Sequence, residues 1–465
     1  MEKINFTKIA SLLVVIILTA CNKEECVYEN NVNAVDCVES PFAGYMVQTY
    51  ASTGATTDVG IIYKTLNNFT APSGDDWNNP SLGTNRVQSI KPAMWKVGSI
   101  GQVFGIALNA TSGVYLSATD VYRFSAPSYL VTYPNAFGGG GSAGIYYTDI
   151  STLTSANITT TLVTTLNSNA WDYSLTNRIP NTGGLGNSIG NIAYDKKHNQ
   201  LFVTNLEDGR IYRLDATTGN VKSVFDPFLL DIPSNGIVAA GEQLWGIGVH
   251  NDGAKTKVYF ARTKTIVPFT TFDSPGTKDI WSIELTSTGE FAATPQLGQP
   301  NVYNDSASSS VLEISNVAGT QALVTDIAFS NNGKMLVAER GHPHKSTVSE
   351  YSKSGISWIP ANNFYVGGST GKDSAGGVDY GVRETSINPS SFKCDDFVWA
   401  TGNYMNLIAS GTGLVYGVQG ISSSGNNPSP SANMRTDIFL DFDNIYSFFK
   451  GAQGDVEVFR KNCCE

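Results

Sequence analysis

Two histidines and two aspartates stand out as residues whose types and spacing could carry chemistry. His342 and His344, two of only four histidines, lie in the run Glu339-Arg340-Gly341-His342-Pro343-His344. A His-x-His pair beside a carboxylate suits a transition metal, because neutral imidazole nitrogen is a preferred ligand. No second cluster completes that coordination sphere, so a solvated polar loop is the plainer reading. Asp326 and Asp379, with Asn191, sit inside short apolar segments, where a ring of oxygens would hold Ca²⁺ or water. Capping of main-chain amides by short polar side chains explains the same residues more simply. Asp437, Asp441, Asp443 and Asn444 form another oxygen-rich stretch, without the glycine and terminal Glu of an EF-hand loop. Familiar catalytic signatures are missing: there is no Gly-x-Ser-x-Gly elbow, P-loop, HExxH or dinucleotide turn, and Gly138 to Gly141 is a plain glycine run. An enzyme assembled from distant loops needs no local motif, so acids such as Glu207, Asp208, Glu339 and Asp379 could still converge.

The elements that must position these residues are short strands. A five-residue pattern recurs as Phe104-Gly105-Ile106-Ala107-Leu108, Gly190-Asn191-Ile192-Ala193-Tyr194, Trp245-Gly246-Ile247-Gly248-Val249, Thr325-Asp326-Ile327-Ala328-Phe329 and Gly376-Gly377-Val378-Asp379-Tyr380. Each copy flanks a β-branched residue with small or short polar ones, so period-two alternation puts bulk on one face and little on the other. A turn and a second apolar run follow each: Val114-Tyr115-Leu116, Leu201-Phe202-Val203, Val258-Tyr259-Phe260, Met335-Leu336-Val337 and Phe397-Val398-Trp399. In the clearest unit, Arg210 to Leu214 follows Glu207-Asp208-Gly209, and Val221 to Phe225 follows Thr218-Gly219-Asn220, turns of hairpin type.

Four antiparallel strands repeated radially describe a β-propeller blade, and the unit from Gly190 to Phe225 resembles those of NHL and YVTN-type propellers. The likeness covers roughly residues 100 to 420 and implies an all-β, single β-propeller. Its recurrence spacing predicts about six blades, with seven, or a separate small domain before residue 95, as the competing architecture. The last blade is expected from Ile438-Phe439-Leu440 and Val456 to Phe459 together with Tyr45-Met46-Val47 or Gly60 to Tyr63. Pairing of N- and C-terminal strands would close the ring and remove the open sheet edge. In such a ring the loops after the second strands share one face. That face would carry Thr119 to Gly144 with Tyr129, Tyr133 and Phe137, then Asn205, Glu207 and Asp208, Arg262, and Glu339, Arg340, His342 and His344. A loop as long as the first is functional or mobile more often than neutral. His198 and His250 follow inner strands and fall on the opposite face.

Composition narrows the partners. The formal charge of −10, from 40 acids against 30 bases, and the lack of a basic cluster disfavour nucleic acid and anionic lipid surfaces. Glycine at 46 residues and only 15% charge fit many turns and few long helices. At the N-terminus, Lys3 and Lys8, the apolar run Ile9 to Ile17 and Leu18-Thr19-Ala20-Cys21 read as a bacterial lipoprotein signal. Its apolar run is too short to span a bilayer. Expected boundaries are therefore a signal peptide over 1–20, a lipidated Cys21 and tether over 21–40, and a propeller over 41–465. Lys23, Glu24 and Glu25 resemble the signal that sends lipoproteins of the Bacteroidota to the outer face of the outer membrane. The membrane would then be met only through the lipid. In that oxidising setting Cys26, Cys37, Cys394, Cys463 and Cys464 could form disulfides, but five is odd and the pairing stays open. Asp305-Ser306-Ala307 and Asp373-Ser374-Ala375 resemble the Bacteroidota O-glycosylation tripeptide, with an unmodified turn as the default. The functional expectation is a non-enzymatic binding module for a surface protein or glycan, an accessory of a transporter, adhesin or secretion complex. Its alternative is a surface hydrolase, lyase or sugar dehydrogenase with a Ca²⁺-supported axial site.

Overall fold

The computed structural model describes residues 40–51, 56–64, 89–119, 138–153, 157–166, 189–206, 208–228, 244–253, 255–264, 277–305, 309–317, 322–341, 345–367, 371–381, 395–406, 414–426, 437–442 and 453–460. Within them the protein is all-β apart from single helical turns such as Val97–Ile100. No helix among the described residues is long and apolar enough to cross a membrane.

Strands succeed one another as antiparallel meanders arranged as a propeller. From the axis outward the first runs Val103–Leu108, Gly113–Ala118, Gly144–Asp149, Thr160–Thr165, and the second Ile189–Asp195, Gln200–Asn205, Arg210–Asp215, Val221–Asp226. The third comprises Leu244–Asn251, Thr256–Lys264, Thr277–Glu284 and Ser310–Ile314. Leu323–Phe329, Met335–Arg340, Val348–Ser354 and Ser357–Phe364 make the next, joined by one pair, Arg340 with Ala375, to Ser374–Gly381, Phe397–Asn406, Leu414–Ser422 and Ile438–Asp441. In the remaining sheet the C-terminal strand Gln453–Val458 is innermost and the N-terminal strands Met46–Tyr50, Gly60–Tyr63 and Ser89–Ile90 lie outside it. Met46 faces Val458 and Gln48 faces Val456 across that junction of the two chain ends. Ile438–Asp441, expected in this closing sheet, instead completes the preceding one, where Leu440 pairs with Val418.

The closing sheet shows why alternation specifies the fold. Met46, Tyr50, Ile61, Tyr63, Val456 and Val458 point to one side and pack on Phe397, Trp399 and Tyr416 of the preceding sheet. Val47 and Ile62 point to the other side and pack on Val103, Ile106 and Val114 of the following one. A sheet covered on both faces reads as a near-continuous apolar run, as these strands do. Each large side chain so buried contributes about 1.5–3 kcal/mol.

One departure from simple repetition is the hairpin Thr294–Gln296 and Gln299–Asn304. It interrupts the third meander and adds to the outer edge of the second, with Val224 pairing in parallel with Val302. Pro295 lies on its free edge strand, where the missing N–H blunts further pairing.

Candidate functional site

Neighbouring inner strands pack side by side around the axis, the C-terminal Gln453–Val458 lying between Ser374–Gly381 and Val103–Leu108. Most of them carry a β-bulge against their second strand, between Val103 and Ile106, Ile189 and Ile192, Leu244 and Ile247, Val324 and Asp326, and Ser374 and Val378. A bulge interrupts the ladder and leaves main-chain groups in need of partners. Short polar side chains supply them. Asp326 Oδ1 accepts from its neighbour Ile327 N–H at 2.8 Å, while Oδ2 accepts from Val378 N–H of the next strand at 2.8 Å. Asp455 does the same for Val456 at 2.8 Å and for Ile106 at 3.0 Å. Asn191 accepts from Ile192 N–H at 2.7 Å and donates to Thr325 O at 3.0 Å and Asp326 Oδ1 at 3.1 Å.

Around the ring this tier alternates Gly105, Asn191, Gly246, Asp326, Gly377, Asp455. Glycine and polar side chain are coupled by space. A Cβ on Gly105 would lie 2.3 Å from Asn191 Oδ1, and one on Gly377 would lie 2.5 Å from Asp455 Cα. Threonines of the second strands knit the same level. Thr204, Thr49 and Thr401 donate to Trp245 O (2.7 Å), Phe104 O (2.6 Å) and Gly454 O (2.7 Å) of the following inner strand.

Asp379 belongs to the next tier. Val378 is the counterpart of Ile327, so Asp379 stands level with Glu457 and with the small Ala107, Ala193, Gly248 and Ala328 rather than with Asp326. It accepts from Tyr380 N–H at 2.8 Å and from Val458 N–H at 2.9 Å, and it is ion-paired to Arg460. Arg460 also donates to Phe329 O and lies 3.9 Å from Asp395. At the other end of the inner strands, Arg340 donates to Ala375 O and Gln453 O, with its guanidinium 5.7 Å from the Phe104 ring centre. Two arginines thus bracket the axial carboxyls.

Oxygens of Asp326, Asp455 and Glu457 come within 4.8 Å of one another. Desolvation by burial, foremost, raises all three carboxyls well above their usual range, and each also feels a negative neighbour, Asp379 for Asp326 and Glu457, Asp326 for Asp455. A cation or shared protons could neutralise such a group. The main-chain and Asn191 N–H donors already directed at Asp326 and Asp455 resemble the surroundings of hydrogen-bonded carboxyls more than an open oxygen cage.

The residues expected on the loop face have varied fates. Glu339 is buried, accepting from Thr347 N–H at 3.2 Å and Thr347 Oγ1 at 2.7 Å, and ion-paired to the buried Lys278. Asn205 is buried too. Asp208 is half-buried, with Arg210 N–H at 3.1 Å and Tyr212 Oη at 2.5 Å, and burial pushes its carboxyl up to about 6. Arg262 lies between the rings of Phe228 (4.4 Å) and Trp281 (4.6 Å). Cys21, Lys23, Glu24, Glu25, Tyr129, Tyr133, Phe137, Glu207, His342 and His344 lie outside the described residues, as do the remaining cysteines. His250 stacks on Phe329 at 4.6 Å and is lowered to about 4 by burial; His198 Nδ1 is 2.7 Å from Asp195. Ser374, the hydroxyl of one Asp-Ser-Ala tripeptide, is buried at the start of an inner strand and accepts from Gly376 N–H at 3.2 Å.

The strand pairing decides the fold. The molecule is a β-propeller. The nidogen chain of a nidogen–laminin complex shares 10% identity over 90% of this chain and 100% of its own, with a TM-score of 0.40. Pseudomonas aeruginosa periplasmic gluconolactonase shares 8% over 89% and 98%, at 0.39, and a protein from Lactobacillus plantarum 11% over 89% and 98%, at 0.38. Likeness at that level says nothing of activity, ligand or partner. No family model and no curated protein matches the sequence.

Sequence reasoning missed the most informative copy of the repeat. Gly454-Asp455-Val456-Glu457-Val458 fits the five-residue pattern, with Asp455 at the place of Asp326 and Glu457 at the place of Asp379. Comparing the C-terminal run with the other five copies would have exposed it.

Proposed function

We propose that this chain is a non-enzymatic binding module, a single ring of six four-stranded blades closed by its N- and C-terminal strands and held at the outer membrane by lipid on Cys21. The six-blade count is supported by the order in which the innermost strands neighbour one another, from Val103–Leu108 round to Gln453–Val458. Lys23, Glu24 and Glu25 would direct it to the cell exterior, where a protein or glycan is the partner. The observation that carries this reading is the commitment of the axial acids. Asp326 and Asp379 each accept one main-chain N–H from the next residue and one from the adjacent inner strand, and Arg460 and Arg340 bracket them. A hydrolase, lyase or dehydrogenase with its general acid or base on the axis would need one of those carboxyls free to reach substrate. Recognition then falls to the loop face, with Asp208 and Arg262 at its described part and Tyr129, Tyr133 and Phe137 in its longest loop.

Surface crosslinking and recovery from intact cells, comparing the wild type with the triple variant Tyr129→Ala, Tyr133→Ala, Phe137→Ala, tests the reading. Loss of the crosslinked partner from the variant at equal surface level supports it. Unchanged recovery removes that loop from recognition, and turnover of polysaccharide abolished by Asp326→Asn or Asp379→Asn would replace the module with an enzyme. Protease shaving of the same cells tests display: full protection would place the propeller inside the outer membrane.

A further inference from the structure

The C-terminal strand Gln453–Val458 brings two carboxyls and, just after it, one arginine into an axial cluster whose other members come from elsewhere in the chain. Without that strand, Asp326 would lack Asp455 and Glu457 as neighbours, and Asp379 would lack Arg460 and the Val458 N–H. Seating it sets Asp455 and Glu457 against Asp326 and adds Arg460 against Asp379. The charged groups then sum poorly. Asp326, Asp379, Asp455 and Glu457 are four acids, and the arginines that contact this axis, Arg460 and Arg340, are two bases.

We propose that seating of the C-terminal strand is coupled to proton uptake by the Asp326–Asp455–Glu457 group, so that the ring closes most tightly at acidic pH and loosens as pH rises through neutral. The geometry demands it for Asp326 and Asp455, which lie within reach of one another while main-chain N–H groups hold both in place from two strands. Two ionised carboxylates repel at this distance, whereas one proton between them makes a hydrogen bond. Among the described residues of the elements packed around the group, only Arg460 and Arg340 carry positive charge, and Arg460 also acts on Glu457. Neither Val103–Leu108 nor Met46–Tyr50, packed against the closing strand, contains an acid, lysine, arginine or histidine. Ser374–Gly381 adds the further acid Asp379, already paired to Arg460, and the turn before Phe397–Asn406 adds Asp395, which faces the same arginine. Leu323–Phe329 contributes Asp326 itself, and His250, beside Phe329, is held neutral by burial.

The sign follows from the raised carboxyls. A group whose folded value lies above its unfolded one stabilises fully below the unfolded value and loses that contribution as pH rises through the folded one. For Asp326 the window runs from 3.8 to about 7. Within it, each proton retained only by the closed ring lowers the closure constant about tenfold per pH unit.

Thermal melting of the full chain from pH 5 to 9, with hydrogen exchange of Gln453–Val458 corrected for its intrinsic pH dependence, reads this directly. The expected result is a falling melting temperature, and faster opening of that strand, as pH rises to about 8. Asp455→Asn, which removes the charge but loses one acceptor for the Val456 or Ile106 N–H, should lower the melting temperature at pH 5 and flatten its dependence on pH. If Asp455→Asn does not fold, Glu457→Gln and the infrared carboxylic acid band of the wild type at pH 7 serve instead, since a fully ionised cluster has no such band. A pH-independent opening rate overturns the proposal. So does abolition of the wild type's pH dependence by millimolar Ca²⁺, which would make the cluster a cation site.

Discussion

Asp379 and Asp455 each accept one N–H from the next residue and one from the neighbouring inner strand, yet Asp379 meets a guanidinium and Asp455 meets another carboxyl. The main-chain task is the same and the counter-charge is opposite. At the first, Arg460 supplies a buried counter-charge; the second is pushed toward its neutral form. Backbone stapling and charge state are therefore separable properties in this ring. The first follows from the bulged strand that each residue occupies, and the second from whichever side chain arrives across the axis.

Ending the chain after residue 443 should break both halves of the comparison at once. It removes Gln453–Val458, Asp455 and Arg460, exposes the inner edge of Met46–Tyr50, and is expected to abolish cooperative unfolding in urea, with aggregation in its place. A retained two-state transition would show that closure contributes little. Arg460→Met acts on one half only, leaving Asp379 buried without its partner. The expected loss is about 3 kcal/mol in urea denaturation, the lower end for breaking a buried pair, and Asp379→Asn in the same background should restore part of it.

The alternation of glycine with polar residues is sharpened by two smaller changes. Gly377→Ala should cost about 1–3 kcal/mol, since the added Cβ meets the Asp455 main chain, while Gly139→Ala, with nothing within 4 Å, should stay within about 0.5 kcal/mol. Thr401→Val removes a donor to Gly454 O and the acceptor for Gly377 N–H, at about 1–2 kcal/mol; an effect no larger than that of Gly139→Ala would mean the sheets are held by apolar packing alone.

The smallest effect belongs to the loop face. Asp208 is raised to about 6 by burial, and the Tyr212 hydroxyl partly offsets that rise. Tyr212→Phe should move the Asp208 titration upward in carbon-detected NMR. The sign is that of a raised carboxyl: its stabilisation is complete below about 4 and fades as pH climbs through about 6, or higher in the variant. A downward shift would mean that the hydroxyl does not donate to this carboxylate.

What the sequence by itself determined is the repeating strand pattern. Small and β-branched residues alternate at Gly105-Ile106, Gly246-Ile247 and their counterparts because inner strands crowd a common axis, and that requirement is local and periodic. Apolar seconds such as Leu201-Phe202-Val203 were legible for the same reason, as was pairing of the chain ends through Val456 to Phe459. The tertiary structure alone decided which polar groups meet. Asn191, Asp326 and Asp455 touch or share donors although far apart in the chain, whereas the one-tier offset of Asp379 from Asp326 is already written in the repeat, where Val378 takes the β-branched place. Glu339 and Arg340 read as loop residues but end a buried strand, where Lys278 and the carbonyls of Ala375 and Gln453 receive them. Strand periodicity reports which face a side chain leaves by, whereas the charge waiting there belongs to another segment of the chain and enters only when the ring is closed.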